Sequence, residues 1–231
     1  MRKRGCMTRK TKPILKIPPC PDLSFEQDLW NHTGQRLAGI DEAGRGAWAG
    51  PVVAAFVILP AEPSICNLLS GVRDSKQMTI KQREHWVEKI KEFASEWGIG
   101  SADHAEIDQL GILPATRLAM KRALNSLADK PDHLLIDAVF LSDVNIPQTA
   151  LIKGDRRSLS IAAASVLAKT TRDAMMREED DIYPQYGFKN HKGYGTRRHQ
   201  SALSKFGPCP IHRMSFRPLR ECKALFDLEA N

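Results

Sequence analysis

Two short apolar runs of the sequence each end in an aspartate. Residues 37–41 end at Asp41 and residues 133–137 end at Asp137, and both runs have a composition typical of buried β-strands. Ligands gather at strand ends in an open α/β sheet, and neighbouring strands lie about 4.8 Å apart. If these two strands are neighbours, the two carboxylates are close enough to share a divalent cation.

Two further acids extend this candidate site. Glu42 follows Asp41 directly, where the strand gives way to a loop. Asp173 lies four residues after Lys169 on a predicted helix, so both project from one face. Oxygen ligands select Mg²⁺ or Mn²⁺, and two such ions about 3.5–4 Å apart can activate water and stabilise the leaving oxygen in phosphodiester cleavage.

A purely structural interpretation of these acids stays open. Asp41 and Asp137 could simply end two strands, and Asp173 could be one half of a surface ion pair. Spacing alone does not decide, because patterns of this kind have a high false-positive rate.

The rest of the chain alternates between predicted strands and helices, which indicates a mixed α/β sheet covered by helices. The predicted strands are residues 37–41, 51–59, 99–102, 133–137 and 150–152. The predicted helices run from Thr79 to Gly98, from Pro114 to Leu127, and from Ser158 or Ser160 to about Asp181. The domain is expected to span residues 36–218.

Both ends of the chain are expected to lie outside that domain. Residues 1–35 are rich in Lys, Arg and Pro, which predicts a mobile basic tail with at most a short helix over residues 25–31. Residues 219–231 form a predicted C-terminal tail. Within it, Lys223 to Leu228 faintly resembles a peptide that docks on a sliding clamp, while a hydrophobic turn of a terminal helix is the alternative.

Composition limits the class of protein. The net charge of +7 suits a polyanionic partner such as a nucleic acid, although it also serves solubility. Five scattered cysteines without metal or redox spacing suit a reducing compartment. No apolar run reaches bilayer length, so we expect a cytoplasmic protein without a membrane partner.

The segment from Gly39 to Val53, GIDEAGRGAWAGPVV, closely resembles the signature of bacterial ribonuclease HII. Further blocks match that family in the same order, and the likeness covers about Leu37 to Pro218. These blocks are Asp74–Lys76, Ile107–Asp108 with Gly111–Ile112, Leu134–Asp137, Lys153–Asp155 with Ser158–Ser165, Ala168–Asp173, His191–Thr196 and His212–Phe216.

The resemblance implies a fold and a metal site. The fold would be ribonuclease H-like, α/β, with a mixed five-stranded sheet flanked by helices and a helical C-terminal extension. Two Mg²⁺ or Mn²⁺ ions would be held by four carboxylates, which the motifs place at Asp41, Glu42, Asp137 and Asp173.

The resemblance also implies substrate contacts. The backbone of Gly44, Arg45 and Gly46 would contact the 2′-hydroxyl that distinguishes RNA from DNA, and Tyr194 would pack on the sugar that follows the ribonucleotide. Phosphate contacts are expected from Lys76, Lys153 and Lys169, with His212 and Arg213 as further candidates. The alternative interpretations are structural: an ordinary turn at Gly44–Gly46, a loop aromatic at Tyr194, and lysines that are only solvated.

The implied activity is cleavage of the RNA strand of RNA–DNA hybrids and of the 5′ side of ribonucleotides embedded in duplex DNA. The products would be a 5′-phosphate and a 3′-hydroxyl, the role would be ribonucleotide removal, and the protein would be a monomer. A hybrid-binding protein without turnover and a metal-dependent nuclease for other substrates are the alternatives. One departure is Ala47–Trp48, where family members commonly carry Pro-Leu.

Overall fold

The computed structural model describes residues 17–32 and 36–221. Its centre is a five-stranded sheet in the order β3-β2-β1-β4-β5. The strands are β1 (Leu37–Ala43), β2 (Val52–Ile58), β3 (Glu96–Ala102), β4 (His133–Asp137) and β5 (Gln148–Leu151). β1, β2 and β3 pair antiparallel, whereas β4 and β5 run parallel to β1. The predicted mixed five-stranded sheet is confirmed.

Helices cover both faces of the sheet. They are α1 (Ser24–His32), α2 (Ile65–Leu68), α3 (Ile80–Phe93), α4 (His104–Leu110), α5 (Ile112–Leu124), α6 (Leu159–Ile182), α7 (Phe188–His191) and α8 (Arg197–Phe206), and residues 217–221 are also helical. The long helix α6 packs on β1 and β2 together with α3, and α5 packs on the opposite face. The C-terminal part is helical as expected. In the described part of the chain, no helix is both long enough and apolar enough to cross a bilayer.

Small residues let α6 lie close against the central strand. A Cβ built at Gly39 of β1 would lie 2.3 Å from the carbonyl carbon of Ser160, at the start of α6. Beyond Ser160, the three consecutive alanines from Ala162 to Ala164 are fully buried. Glycine on the strand and alanine on the helix therefore set the distance between sheet and helix.

The helix after Thr79 begins as predicted but ends earlier than predicted. Thr79 and Gln82 form a capping box, and α3 ends at Phe93. Trp97, predicted on the helix, lies instead in β3, where it pairs with Val57 of β2. Backbone pairing with a neighbouring strand outweighed the helical spacing of the apolar residues, because that spacing reports only local preference.

The segment expected to be a mobile tail is partly docked on the domain. Glu26 of α1 is fully buried, and its Oε1 accepts hydrogen bonds from Ser158 Oγ at 2.6 Å, Ser160 Oγ at 2.7 Å and Ser160 N at 3.0 Å. Residues 17–32 are thus part of the folded unit, which corrects the tail expectation for them. The predicted C-terminal tail also begins too early, because residues 217–221 are helical and Leu219 is 0% exposed. Residues 1–16, 33–35 and 222–231, which include the clamp-like segment Lys223–Leu228, lie outside the described residues.

Removing the Glu26 carboxylate should destabilise the protein. Glu26→Ala leaves two buried hydroxyls and one backbone N–H without their acceptor, which should lower the free energy of unfolding by about 1–3 kcal/mol in a urea titration. Asp28→Ala, on the exposed side of the same helix, is the matched control and should change it by less than about 0.5 kcal/mol. Equal effects of the two substitutions would contradict the docking of α1 through Glu26.

Candidate functional site

Three aspartates meet at the carboxyl ends of the parallel strands. β1 pairs with β4 in the register Ile40 to Ile136, so Asp41 and Asp137 are the next residues along two neighbouring strands, as predicted. The short 3₁₀ turn Gly154–Arg156, which follows β5, adds Asp155. Each of the three offers a carboxylate oxygen, and these oxygens all lie within 4.8 Å of one another.

Backbone N–H groups and two strained turns hold this arrangement. Gly154 N donates to Asp137 Oδ1 at 2.8 Å, and Glu42 N donates to Asp41 Oδ1 at 2.7 Å. Ala138 and Lys153 have φ values of 59° and 55°, a left-handed conformation that residues other than glycine rarely adopt. Strain of this kind persists where the surrounding structure enforces it, and here it turns the chain sharply beside two of the aspartates.

The cluster carries more negative charge than its surroundings neutralise. Burial raises the pKa of Asp41 well above its usual value, and the charges of Glu42, Asp137 and Asp155 raise it further. Burial, followed by the charges of Asp74 and Asp137, raises the pKa of Asp155 to about 6. The cause in both cases is that a desolvated carboxylate beside other carboxylates favours the protonated form.

Glu42 contributes an oxygen that lacks a partner. Its Oε1 accepts a hydrogen bond from Arg45 at 3.0 Å, whereas its Oε2 is buried and finds no hydrogen-bond partner among the described residues. Burial raises the pKa of Glu42, although Arg45 opposes that shift. An unpartnered carboxylate oxygen beside an all-oxygen cluster fits a hard divalent cation such as Mg²⁺ or Mn²⁺.

Asp173 is not a member of this cluster. Its Oδ2 pairs with Arg83 at 3.1 Å and its Oδ1 with Lys169 at 2.7 Å, and it is not part of the group of close aspartates. Lys169 and Asp173 do lie on one face of α6, as predicted, and there they form a largely buried ion pair. Asp155, which we did not predict as a ligand, is the third member of that group, and its signal in the sequence was an acid soon after the strand β5.

A cleft of about 670 Å³ opens beside the aspartates. Many of the predicted site residues line this cleft. They are Glu42, Gly44, Arg45, Gly46, Lys76, Asp137, Lys169 and Tyr194. Burial alone would lower the pKa of Lys76, but the nearby charges of Asp41 and Asp155 raise it, so this lysine stays charged. Lys153 is not among the lining residues and occupies the left-handed position before the 3₁₀ turn. Predicted substrate residues and part of the acidic cluster thus share one cleft.

Two buried arginines hold the loop that contains Gly44 and Gly46. Arg172 donates to the carbonyl oxygens of Ala49 at 3.1 Å and Pro51 at 2.8 Å. Arg213 donates to those of Arg45 at 3.0 Å, Gly50 at 2.9 Å and Pro51 at 3.0 Å. Because all of these acceptors are backbone carbonyl groups of residues 45–51, the two arginines stabilise the conformation of the loop itself.

Burial also changes the roles expected of two C-terminal candidates. Arg213 is 0% and His212 1% exposed, so neither is a surface contact for phosphate. Burial, and then the charge of Arg172, lowers the pKa of Arg213 to about 9, which leaves it protonated at neutral pH. The supporting role of Arg172 and Arg213 was missed, because a sequence does not show which arginines are buried.

The comparisons with known proteins point to one family. A family model described as Ribonuclease HII matches residues 38–218. The ribonuclease HII of Chloroflexus aurantiacus is 54% identical over 210 residues, covering 90% of this chain and 98% of that protein. The ribonuclease HII of a Synechococcus strain is 53% identical over 204 residues, covering 88% and 91%.

Solved structures share the fold. The crystal structure of the ribonuclease H2 from Pyrococcus horikoshii superposes with a TM-score of 0.69 at 27% identity, covering 83% of this chain and 99% of that chain. A family match across most of the length, together with relatives more than half identical, shows that this chain belongs to the ribonuclease HII family and is a metal-dependent endonuclease of the ribonuclease H type.

Proposed function

We propose that this protein cleaves the RNA strand of RNA–DNA hybrids and the 5′ side of ribonucleotides embedded in duplex DNA, leaving a 5′-phosphate and a 3′-hydroxyl. Its role would be the removal of ribonucleotides from DNA. The observation that carries this proposal is that the acidic cluster of Asp41, Asp137 and Asp155 lies beside the loop of Gly44 and Gly46, which lines the same cleft as Asp137.

Asp41, Glu42, Asp137 and Asp155 are the residues that would hold two Mg²⁺ or Mn²⁺ ions. The oxygens of the three aspartates lie within 4.8 Å of one another, and the buried Oε2 of Glu42 lacks a partner among the described residues. When bound, such ions lower the pKa of a water and neutralise charge on the phosphate and the leaving oxygen.

The protein's own groups orient the substrate. Lys76 and Lys169 line the cleft, and their ammonium groups supply positive charge to a phosphodiester backbone. The N–H of Gly154 fixes one oxygen of Asp137 and so orients this carboxylate toward the cleft.

The loop of Gly44 and Gly46 is suited to sense a 2′-hydroxyl. Gly44 has φ +97°, and a Cβ there would lie 2.0 Å from Arg172 Nε, so its glycine is needed for folding. A Cβ at Gly46 would meet nothing within 4 Å, which means that its missing side chain leaves open space in the cleft. Bare backbone therefore faces the cleft, where the sugar would lie, and Tyr194 bounds the same cleft.

A substrate panel with matched acid variants tests the proposal. The wild type with Mg²⁺ or Mn²⁺ should cut a duplex with one ribonucleotide and an RNA–DNA hybrid, but not an all-DNA duplex. Asp155→Asn should lower kcat/KM by more than about 100-fold, because it replaces one carboxylate oxygen by an NH2 group and removes the negative charge that would hold the cation.

Asp173→Asn is the matched control for that loss. It breaks the pairs with Arg83 and Lys169, so it should lower Tm, yet the folded enzyme should keep activity within about tenfold of the wild type. If Asp173→Asn lowered kcat/KM more than Asp155→Asn, the fourth ligand would be Asp173 and not Asp155. Binding of the hybrid without cleavage in either metal would refute the proposed activity.

The acidic cluster should make the metal-free protein less stable as pH rises. Folding raises the pKa of Asp155 from 3.8 to about 6, so the folded state binds this proton more tightly, and the stability it contributes is lost as pH rises through that interval. At pH 7.5 in EDTA, Asp155→Asn should therefore melt roughly 2–8 °C above the wild type. The difference should shrink at pH 4, and Mg²⁺ should raise the Tm of the wild type more than that of the variant. An equal Tm for both proteins at pH 7.5 would contradict the repulsion.

A side chain at Gly46 should block substrate without unfolding the protein. Gly46→Val fills open cleft space, so kcat/KM on the single-ribonucleotide duplex should fall by at least about tenfold while Tm stays within roughly 2 °C. Gly44→Val is the contrasting variant, since its side chain collides with Arg172 and should lower Tm. Unchanged kinetics of Gly46→Val would exclude the loop from the substrate path.

A further inference from the structure

Three buried histidines lie beneath Tyr194. His191, His199 and His212 are 8%, 0% and 1% exposed, and the rings of His191 and His199 stack at 4.5 Å. In the described part of the chain, the group of His, Cys, Asp and Glu residues able to share one metal ion is the aspartate cluster. The histidines interact instead through hydrogen bonds.

The hydrogen bonds form a continuous path to the backbone of Tyr194. His199 Nδ1 lies 3.1 Å from the carbonyl oxygen of Tyr194, and His199 Nε2 lies 3.0 Å from His212 Nε2. His212 Nδ1 in turn lies 2.9 Å from the backbone N of Cys209. Both nitrogens of both rings are therefore engaged.

The path admits one ordering of protons. The Tyr194 carbonyl can only accept, so His199 Nδ1 carries the proton, and Nε2 of the neutral ring is then an acceptor. His212 Nε2 must donate to it, which makes His212 Nδ1 the acceptor for the N–H of Cys209. Each ring is satisfied in its neutral form. An added proton on His199 would set its Nε2–H against the Nε2–H of His212, whereas His212 Nδ1 also lies 3.1 Å from the carbonyl oxygen of Cys209.

The surroundings keep the rings neutral. Burial lowers the pKa of His199 and of His212 to about 4. His191 is also satisfied as a neutral ring. Its Nε2 donates to the Tyr186 carbonyl at 2.9 Å, and its Nδ1 accepts from Gly193 N at 3.3 Å. The three rings thus present a fixed pattern of donors and acceptors at neutral pH.

The opposite side of the Tyr194 turn is held by the loop at residues 47–50. Trp48 N donates to the Gly193 carbonyl at 2.8 Å, and a Cβ at Gly193 would lie 2.5 Å from the Ala49 carbonyl oxygen. The indole of Trp48 packs so closely on Gly195 that a Cβ there would lie 2.2 Å from Cζ2. The turn is therefore clamped between the histidines and this loop, with the Tyr194 side chain at the cleft.

We propose that His199 is a positioning residue for the recognition of the sugar at Tyr194, and that His212 acts through it by fixing the tautomer in which His199 Nδ1 donates, a requirement that an amide side chain at this position does not have. Their ordered hydrogen bonds fix the Tyr194 carbonyl, and with it the place of the phenol ring in the cleft. Trp48 supports the same turn from the other side. This inference rests on the proposed function, because it concerns how Tyr194 distinguishes a ribonucleotide–DNA junction from a continuous hybrid.

Two polar substitutions separate the two bonds of His199. His199→Asn keeps a donor near the Nδ1 position and with it the bond to Tyr194, whereas His199→Gln reaches His212 and gives up that bond. The measured quantity is kcat/KM on a single-ribonucleotide duplex divided by kcat/KM on a hybrid of the same sequence. His199→Gln should lower this ratio about 3- to 10-fold, the effect of one hydrogen bond, and His199→Asn should keep it within about twofold.

Phe188→Leu is the matched control for a general loss of packing. Phe188 is buried against all three histidine rings but makes no hydrogen bond to the Tyr194 turn. It should lower Tm and leave the ratio unchanged. A wild-type ratio for His199→Gln, or an equal fall for Phe188→Leu, would overturn the positioning role.

The proton order can be measured without any substrate. Histidine ¹⁵N spectra of the whole protein at pH 7 should show His199 protonated at Nδ1 and His191 and His212 protonated at Nε2. A charged ring, or His199 protonated at Nε2, would overturn the ordered path even in an active enzyme. A wild type that cleaves none of the duplexes would refute the proposed function and the recognition role at Tyr194, while the spectra would still decide the proton order.

Discussion

The repulsion among buried carboxylates is the constraint on which the site depends. Asp41, Asp137 and Asp155 lie with oxygens within 4.8 Å of one another, and desolvation makes the charges of Asp41 and Asp155 costly. The parallel pairing of β1 with β4 and the 3₁₀ turn after β5 hold them there. Packing in the rest of the sheet offsets the free-energy cost of this arrangement. The aspartates are left with a negative charge that cations can neutralise.

The buried cations perform a different task from the acids. Arg172 and Arg213 donate to carbonyl groups of the loop at residues 45–51, and Arg83 pairs with Asp173. A buried guanidinium needs several acceptors, and these carbonyl groups provide them. These hydrogen bonds hold the loop beside the acidic cluster rigid, which the proposed sensing of a single hydroxyl by its backbone requires.

Two loops distant in sequence interlock at the cleft. Residues 47–50 and 193–195 share backbone hydrogen bonds and contacts too close for any Cβ at Gly193 or Gly195. Trp48, the departure noted in the sequence, is the residue that packs on Gly195. A large indole in this position makes the two loops one unit, so the proposed sugar contact and the proposed hydroxyl contact are set together.

The sequence by itself determined the family, the mixed sheet and the two strands that end in Asp41 and Asp137, because apolar runs, glycine positions and ordered motifs are local properties. The tertiary structure decided which other acids join them. The spacing of Lys169 and Asp173 showed a shared helix face, on which they do pair, but it did not show the second partner of Asp173, Arg83, which is 90 residues away. Asp155 joins the cluster through a turn that only the pairing of β5 with β4 brings close. Local spacing fixes the direction of a side chain on its own element, whereas burial and charge partners depend on how distant elements pack.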